Sequence, residues 1–467
     1  MLTVFIHQLH DNLRSQRFQV SLGILLLFFV ANGVIYSMKM QRMTTQFARS
    51  ATFDEDRYDR AETLSDAVDN ELIIRTGDVG VEYIAEAGSF WFEYGRYVNA
   101  ASGTTLWPRS SRTTNAWMRH FEVLDWCVIA RYVLSFLCIV LSYNAISGEL
   151  ESGSLRLALS GPLSRTRYLL GKYLGHLVTL AVAAAIGTLL SLTVMVVHGV
   201  LEMNAAVAAN VLLFFIAMLL YVSVFLLLGL GVSAWSRNSA TSLVLLLTTW
   251  TCLIVVVPQS SYLIAMMTTD PVGPYQDRVN DVMDEVRAGL RQQGLEPRPI
   301  ELARVDDYAI ERRYAARLRE LGTEVDRLQR NVQSRRIEQY ETARRVNLLS
   351  PGFAFQYSVE TLLGTGIDRY RSFDTQAWRY RDDLREFLRA RDAADPDSPH
   401  ILFLEGFMSQ RPLDSDDVPR FKERPLSFAA ALTAGVVPIT ILLLETVLAL
   451  LFALRMFNRA ELTGQTA

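Results

Sequence analysis

The chain has 467 residues, half of them hydrophobic and a fifth charged, with 46 basic against 49 acidic side chains. A near-neutral balance with no basic run argues against a nucleic-acid partner, and the three cysteines, Cys127, Cys138 and Cys252, lie inside apolar runs with neither a disulfide framework nor zinc-ligand spacing, as packing residues. The half-apolar average covers two solvents: runs of about 20 apolar residues, long enough to cross a bilayer, alternate with stretches dense in Arg, Asp and Glu, as in an integral membrane protein with sizeable soluble insertions.

In chain order, a polar segment of residues 1–17 precedes the first apolar run, Phe18 to Met38. Tyr-Ser-Met-Lys-Met-Gln after it lacks a small-residue cleavage pattern, so the run reads as an uncleaved anchor rather than a signal peptide. A first insertion, residues 39–122, leads to the second run, Val123 to Ala145 (segment 123–146), which Trp107, Trp117 and Trp126 approach as an interfacial aromatic belt. A charged, glycine-bearing island, residues 147–172, separates it from three further runs within residues 173–257: Tyr173 to Val197, Val207 to Val232 and Ala240 to Val257. A second insertion, residues 258–426, precedes the sixth run, Ser427 to Leu454, and a tail of residues 455–467.

Lys and Arg in short loops stay on the cytoplasmic side during insertion. The island carries Arg156, Arg165, Arg167 and Lys172, and the next-but-one short loop carries Arg237, whereas the loop between them, His198 to Ala206, has Glu202 and no base. Both termini then fall in the cytoplasm, with Arg14, Arg17, Arg455 and Arg459 in agreement and Lys39, Arg42, Lys422 and Arg424 pulling the other way. Both insertions lie outside.

The second insertion reads as largely helical. Apolar residues recur at Val279, Met283, Val286 and Leu290, and, after the break Gly294-Leu-Glu-Pro-Arg-Pro299, at Tyr314, Leu318, Leu321, Val325, Leu328 and Val332. That three-four spacing is a heptad seam and predicts an antiparallel hairpin. Its second helix, running to about Asn347, overhangs the first and needs another partner, either the first insertion or a second subunit. Glu320, Glu324 and Arg327 read as a solvated face. Ser350-Pro351 starts another helix, with serine as cap and proline in the first turn, whose Phe353, Tyr357 and Leu362 are expected on the outer membrane surface.

Nucleotide chemistry has no residues to stand on. Leu170-Gly-Lys-Tyr173 has Thr166 where a phosphate-binding loop needs glycine and Tyr173 where it needs Ser or Thr, and Gly229-Leu-Gly231 lacks the third glycine of a dinucleotide fingerprint. The histidines, His7, His10, His120, His176, His198 and His400, form no metal-ligand pattern, and no nucleophile motif is present. No catalytic, metal or cofactor residue is assigned. Within the sixth run Glu445 falls near mid-bilayer, where a charge costs on the order of 3 kcal/mol, so it should face protein or a water-filled path, with Arg131 of the second run or polar groups of a second subunit as candidate partners. Pro438, before it, removes a backbone hydrogen bond and offers a hinge.

Six runs, cytoplasmic termini and the residues Glu149, Glu151, Gly153, Leu155, Leu159, Ser160, Pro162, Ser164, Arg165, Gly171 and Lys172 together resemble the membrane subunit of ABC-2-type transporters, the permease class of many bacterial ABC exporters. The large insertions resemble a subgroup with extracytoplasmic domains, in which Pro351, Gly364-Thr-Gly366 and the Phe373 to Leu384 region look familiar. The resemblance implies a mainly α polytopic fold with six transmembrane helices and a largely helical extracytoplasmic domain, in the bacterial inner membrane. It further implies that the island is a coupling helix docking in a groove of a separate ATPase through Glu149, Glu151, Gly153, Leu155, Arg156, Leu159, Arg165 and Lys172. Two ATPase subunits that bind ATP and Mg, and a second permease, identical or related, are the implied partners. The alternatives are a transporter-derived envelope assembly factor and a membrane sensor acting through its outer helices.

Overall fold

In the computed structural model, residues 1–460 are described except 60–62, 66–70, 77–79, 87–94, 100–106, 109–123, 237, 271–274, 296–307 and 405. Arg237, Trp117, His120 and much of the first insertion lie outside the described residues. Among the described residues, six helices are long and apolar enough to cross a membrane: Gln16–Arg42, Trp126–Glu151, Arg165–Val197, Ala205–Trp235, Ser239–Thr268 and Phe428–Arg459, spans 1 to 6. Lipid offers no donors or acceptors, so each span must satisfy its own backbone, and local caps start most of them. Asp125, Ser164, Asn204, Asn238 and Ser427 each accept the backbone N–H three residues on with their side chains.

An N-terminal helix, Leu2–Arg14, lies against span 3. Its buried face is polar: Gln8 donates to Asn12, and Asn12 donates to Thr179 at 2.9 Å and meets His176 Nδ1 at 3.2 Å. Leu2, Ile6 and Leu13 face outward. Gly175 permits this approach, since a Cβ there would lie 2.8 Å from Gln8 Cβ.

Spans 2 and 5 each contain a π-helical turn, Ala130–Leu134 and Cys252–Val256. In span 5 the turn precedes Pro258, whose ring opposes the carbonyl of Ile254 and whose missing N–H would otherwise break the helix. The helix therefore runs on to Thr268 rather than stopping at Val257. In span 2 the Arg131 carbonyl accepts the hydroxyls of Ser135 (2.5 Å) and Tyr221 (2.8 Å).

The heptad seam forms a hairpin of Tyr275–Gln292 and Ala309–Asn347, with Val279, Leu321 and Val325 buried between them. The overhang finds its partners within the second insertion and span 5. Span 5's extension packs along it, and Arg344, Asp326 and Glu341 pair with Asp368, Arg381 and Arg371 of helix Ile367–Ala393. Arg327 pairs with Glu324 on the exposed face.

The helix begun by Pro351 is not on the membrane surface. Pro351–Leu362 has ten of its twelve residues buried, Tyr357 among them, and sits as a wedge among spans 2, 4, 5 and 6. Phe355 stacks on Tyr221 of span 4 at 4.8 Å. The Ser350 hydroxyl makes no cap bond. Gly364 and Gly366, both at positive φ (69° and 79°), turn the chain into Ile367–Ala393.

A small antiparallel sheet, absent from the sequence reading, joins the two insertions. Its strands are β1 (Glu71–Arg75), β2 (Gly95–Asn99) and β3 (Trp107–Pro108), in that order. Ile74 and Val98 share a core with Phe373, Ala377, Trp378, Leu384 and Leu388, and Arg96 pairs with Asp374 at 2.6 Å. Trp126 is fully buried, donating to Asn32 Oδ1 at 2.9 Å and Ser191 Oγ at 3.2 Å, so it belongs to the bundle core and not to an interfacial belt. Cys127 and Cys138 are buried packing residues, whereas Cys252 faces outward from the chain.

Candidate coupling site

The island folds as two short helices, Ser147–Glu151 and Ser154–Leu159, hinged at Gly153 (φ 74°). Alternating polar and apolar residues, too few for a span, lay it across the ends of four spans at the end of the bundle that carries both terminal helices. Ser233 Oγ of span 4 accepts the backbone N–H of Ile146 and Ser147, at 3.1 and 3.0 Å. Glu149 accepts from Lys172 and Tyr168 of span 3, with Lys172 also 5.8 Å from the Tyr168 ring centroid. Glu151 accepts the Ser239 N–H at 2.6 Å and its hydroxyl at 3.3 Å, placing a carboxylate on the positive end of span 5. Arg165 donates to the carbonyls of Phe457 (3.1 Å), Asn458 (2.9 Å) and Ala460 (3.0 Å), closing the end of span 6.

The residues expected to face an ATPase therefore divide. Leu155 is 0% exposed and packs in the core of the bundle, and Leu159 is partly buried against the same core, so neither is free to enter a groove on another protein. Glu149 and Lys172 are spent on each other, and Arg165 on span 6. Arg156 and Gly153 remain exposed, joined by Leu157, at 78% exposure an apolar side chain without cover. Its outward direction is readable only once the helix is docked: with Leu155 turned in, Leu157, two residues on, turns out.

Arg131 and Glu445 do not meet. Arg131, 6% exposed, donates to Gln356 of the wedge helix and lies 4.3 Å from the Phe353 ring centroid and 4.8 Å from that of Tyr132. Glu445 is half-buried, and its Oε2 is buried with no hydrogen-bond partner among the described residues. Pro438 sits within a helix that continues through it, three residues from Gly435, where the wedge residue Thr361 packs closely.

The model of the ABC-2 family transporter protein matches residues 2–462. The chain belongs to this family. Two relatives named "Probable ABC transporter permease protein NosY" are similar over 59 residues, 13% of this chain: one from Pseudomonas aeruginosa at 46% identity and one from Stutzerimonas stutzeri at 44%. The matched stretch spans about a fifth of those relatives' own length (22% and 21%). As an ABC-2 protein with six apolar helices, the chain is a multi-pass membrane subunit of an ABC transporter.

Proposed function

We propose that this chain is the permease of a bacterial inner-membrane exporter, driven by a separate ATPase that docks on the island. Two ATPase subunits, which hold ATP and Mg, and a second permease complete the complex. Both termini and the island lie in the cytoplasm, and the insertions lie on the opposite side. The observation that carries the reading is the division of the island: Glu149, Glu151 and Arg165 grip three spans while Arg156 and Leu157 stay uncovered. A soluble partner pressing on that face moves the ends of spans 3, 5 and 6 together. Leu157→Asp puts a charge into the contact at a cost of several kcal/mol where the groove excludes water. It should cut co-purification of the ATPase at least tenfold while the permease inserts and unfolds at its usual temperature. Undiminished co-purification and transport would make the island a mere connector.

A second reading, a force-transmitting assembly factor that moves no substrate, is favoured by the continuity of span 5 into the outer hairpin. Substrate uptake into inverted proteoliposomes holding the whole complex separates the two.

A further inference from the structure

Span 5 begins at one end of the bundle and ends in the outer domain. Its 30 residues form one rod about 45 Å long at ~1.5 Å per residue. Glu151 of the island caps its first residue, Ser239. At the other end Ser261 and Ala265, one turn apart, are buried on the segment that packs along Ala309–Asn347, and Gln339 donates to the Asp270 carbonyl at 3.0 Å. Between these ends lies the π turn, and its Ile254 is 1% exposed.

The π turn of span 5 and the π turn of span 2 converge on one residue of the wedge helix. A Cβ added to Gly352 would lie 2.9 Å from Ile254 Cδ1 and 2.7 Å from Arg131 Cγ. Arg131 cannot yield: Gln356 holds its guanidinium, and Phe353 and Tyr132 flank it. Ile254 is thus one jaw and Arg131 the other, with the backbone of Gly352 between them. π turns are places where a helix can shift register locally without losing its ladder, and close packing makes such contacts switch between arrangements instead of deforming smoothly.

We infer that span 5 carries movement of the island to the outer domain, and that Ile254 and Arg131 are positioning residues that transfer it through Gly352 to the wedge helix. The inference rests on the island being the ATPase-facing element, but its contacts are internal to this chain and are tested without the ATPase. Hydrogen–deuterium exchange is measured on the full chain in lipid nanodiscs. Glu151→Ala, which frees the Ser239 end, should speed exchange of amides in residues 351–362 at least threefold. In an Ile254→Ala background that distant effect should vanish while the local rise around residues 239–242 persists, and Ile254→Leu, which keeps the bulk, should restore it. A rise confined to residues 147–160 and 239–242, or a distant effect indifferent to Ile254→Ala, would overturn the inference. Neither result bears on ATPase docking at Leu157, which co-purification tests separately; loss of docking with the exchange coupling intact leaves the transfer contact standing.

Discussion

Leu155 and Leu157 lie two residues apart on one short helix and face opposite worlds, the first at 0% exposure in the bundle core and the second at 78%. Truncating the first leaves a cavity under the island; truncating the second removes only surface. Leu155→Ala should therefore cost about 2–4 kcal/mol and lower the thermal midpoint of the purified chain, whereas Leu157→Ala should leave it within about 0.5 kcal/mol of wild type. Thermal unfolding followed by tryptophan fluorescence in nanodiscs reads both. Equal midpoints for the two variants would mean that the island is not seated as described.

The proposed orientation predicts opposite access at Ser152, exposed on the island, and Ser334, exposed on the outer hairpin. With Cys127, Cys138 and Cys252 replaced, Ser334→Cys should react with a membrane-impermeant thiol reagent on intact cells and Ser152→Cys only after lysis. Equal labelling of both would end the six-span topology.

Glu360 lies outside the six spans, on the wedge helix, 3% exposed, where its Oε1 accepts from Gln356 Nε2 at 2.6 Å. Burial pushes its carboxyl up to about 7. Asp125 adds to the rise, while the Gln356 hydrogen bond and the charges of Arg344 and Arg131 offset part of it. A group whose pKa is raised on folding stabilises the native state fully below its unfolded value, 4.5, and that stability is lost as pH climbs through 7. The loss is on the order of 3 kcal/mol between about pH 5 and 8. Glu360→Gln should flatten that part of the stability–pH curve, measured as the shift in thermal midpoint across the range. An unchanged slope would show that Glu360 ionises freely in the folded chain.

The spans were legible because a single residue class, repeated for the width of a bilayer, encodes them. The hairpin seam was legible because Val279, Leu321 and Val325 fall on one heptad stripe. The wedge helix was readable as a helix and unreadable as a buried one. It is only 12 residues long, with Gln356, Ser358, Glu360 and Thr361 inside it, and its burial depends on its Gly352 approaching spans 2 and 5 and on Gly435 of span 6 admitting its Thr361. The sheet was hidden because its strands are five residues or fewer and share their core with residues distant in sequence, Phe373 to Leu388 of helix Ile367–Ala393 and Phe403, Met408 and Val418 beyond it. At the site, the residue types on the island pointed to coupling, but their assignment depended on contacts such as that of Glu151 with Ser239, 88 residues apart, that no local spacing records. The fifth run, bounded at Val257 by its apolar length, continues as helix through Pro258, where the π turn of Cys252–Val256 absorbs the proline.

Glu445 stands ten residues before Arg455, about 15 Å along span 6 at ~1.5 Å per residue, near the middle of the bilayer. Its neighbour Thr446 donates to the Leu220 carbonyl of span 4 at 3.3 Å, and Leu442 and Ala449 are buried on either side, so Glu445 borders the packed face of its helix. Leu443, Leu444, Val447 and Leu448 are exposed beside it. Arg131, the candidate counter-charge, is occupied by Gln356, and Glu445 Oε2 has no hydrogen-bond partner among the described residues. A polar atom left in that state costs free energy that removal should recover, so Glu445→Leu should raise the thermal midpoint of the isolated chain. If the proposed second permease supplies the missing donor, the same substitution should weaken permease association, while Glu445→Gln, which keeps a polar group of the same shape, should associate normally. Midpoint and stoichiometry measured on the same nanodisc samples distinguish these effects. A chain that loses stability with Leu has its partner for Glu445 inside its own bundle, and equal association of the Gln and Leu variants removes Glu445 from the interface between permeases.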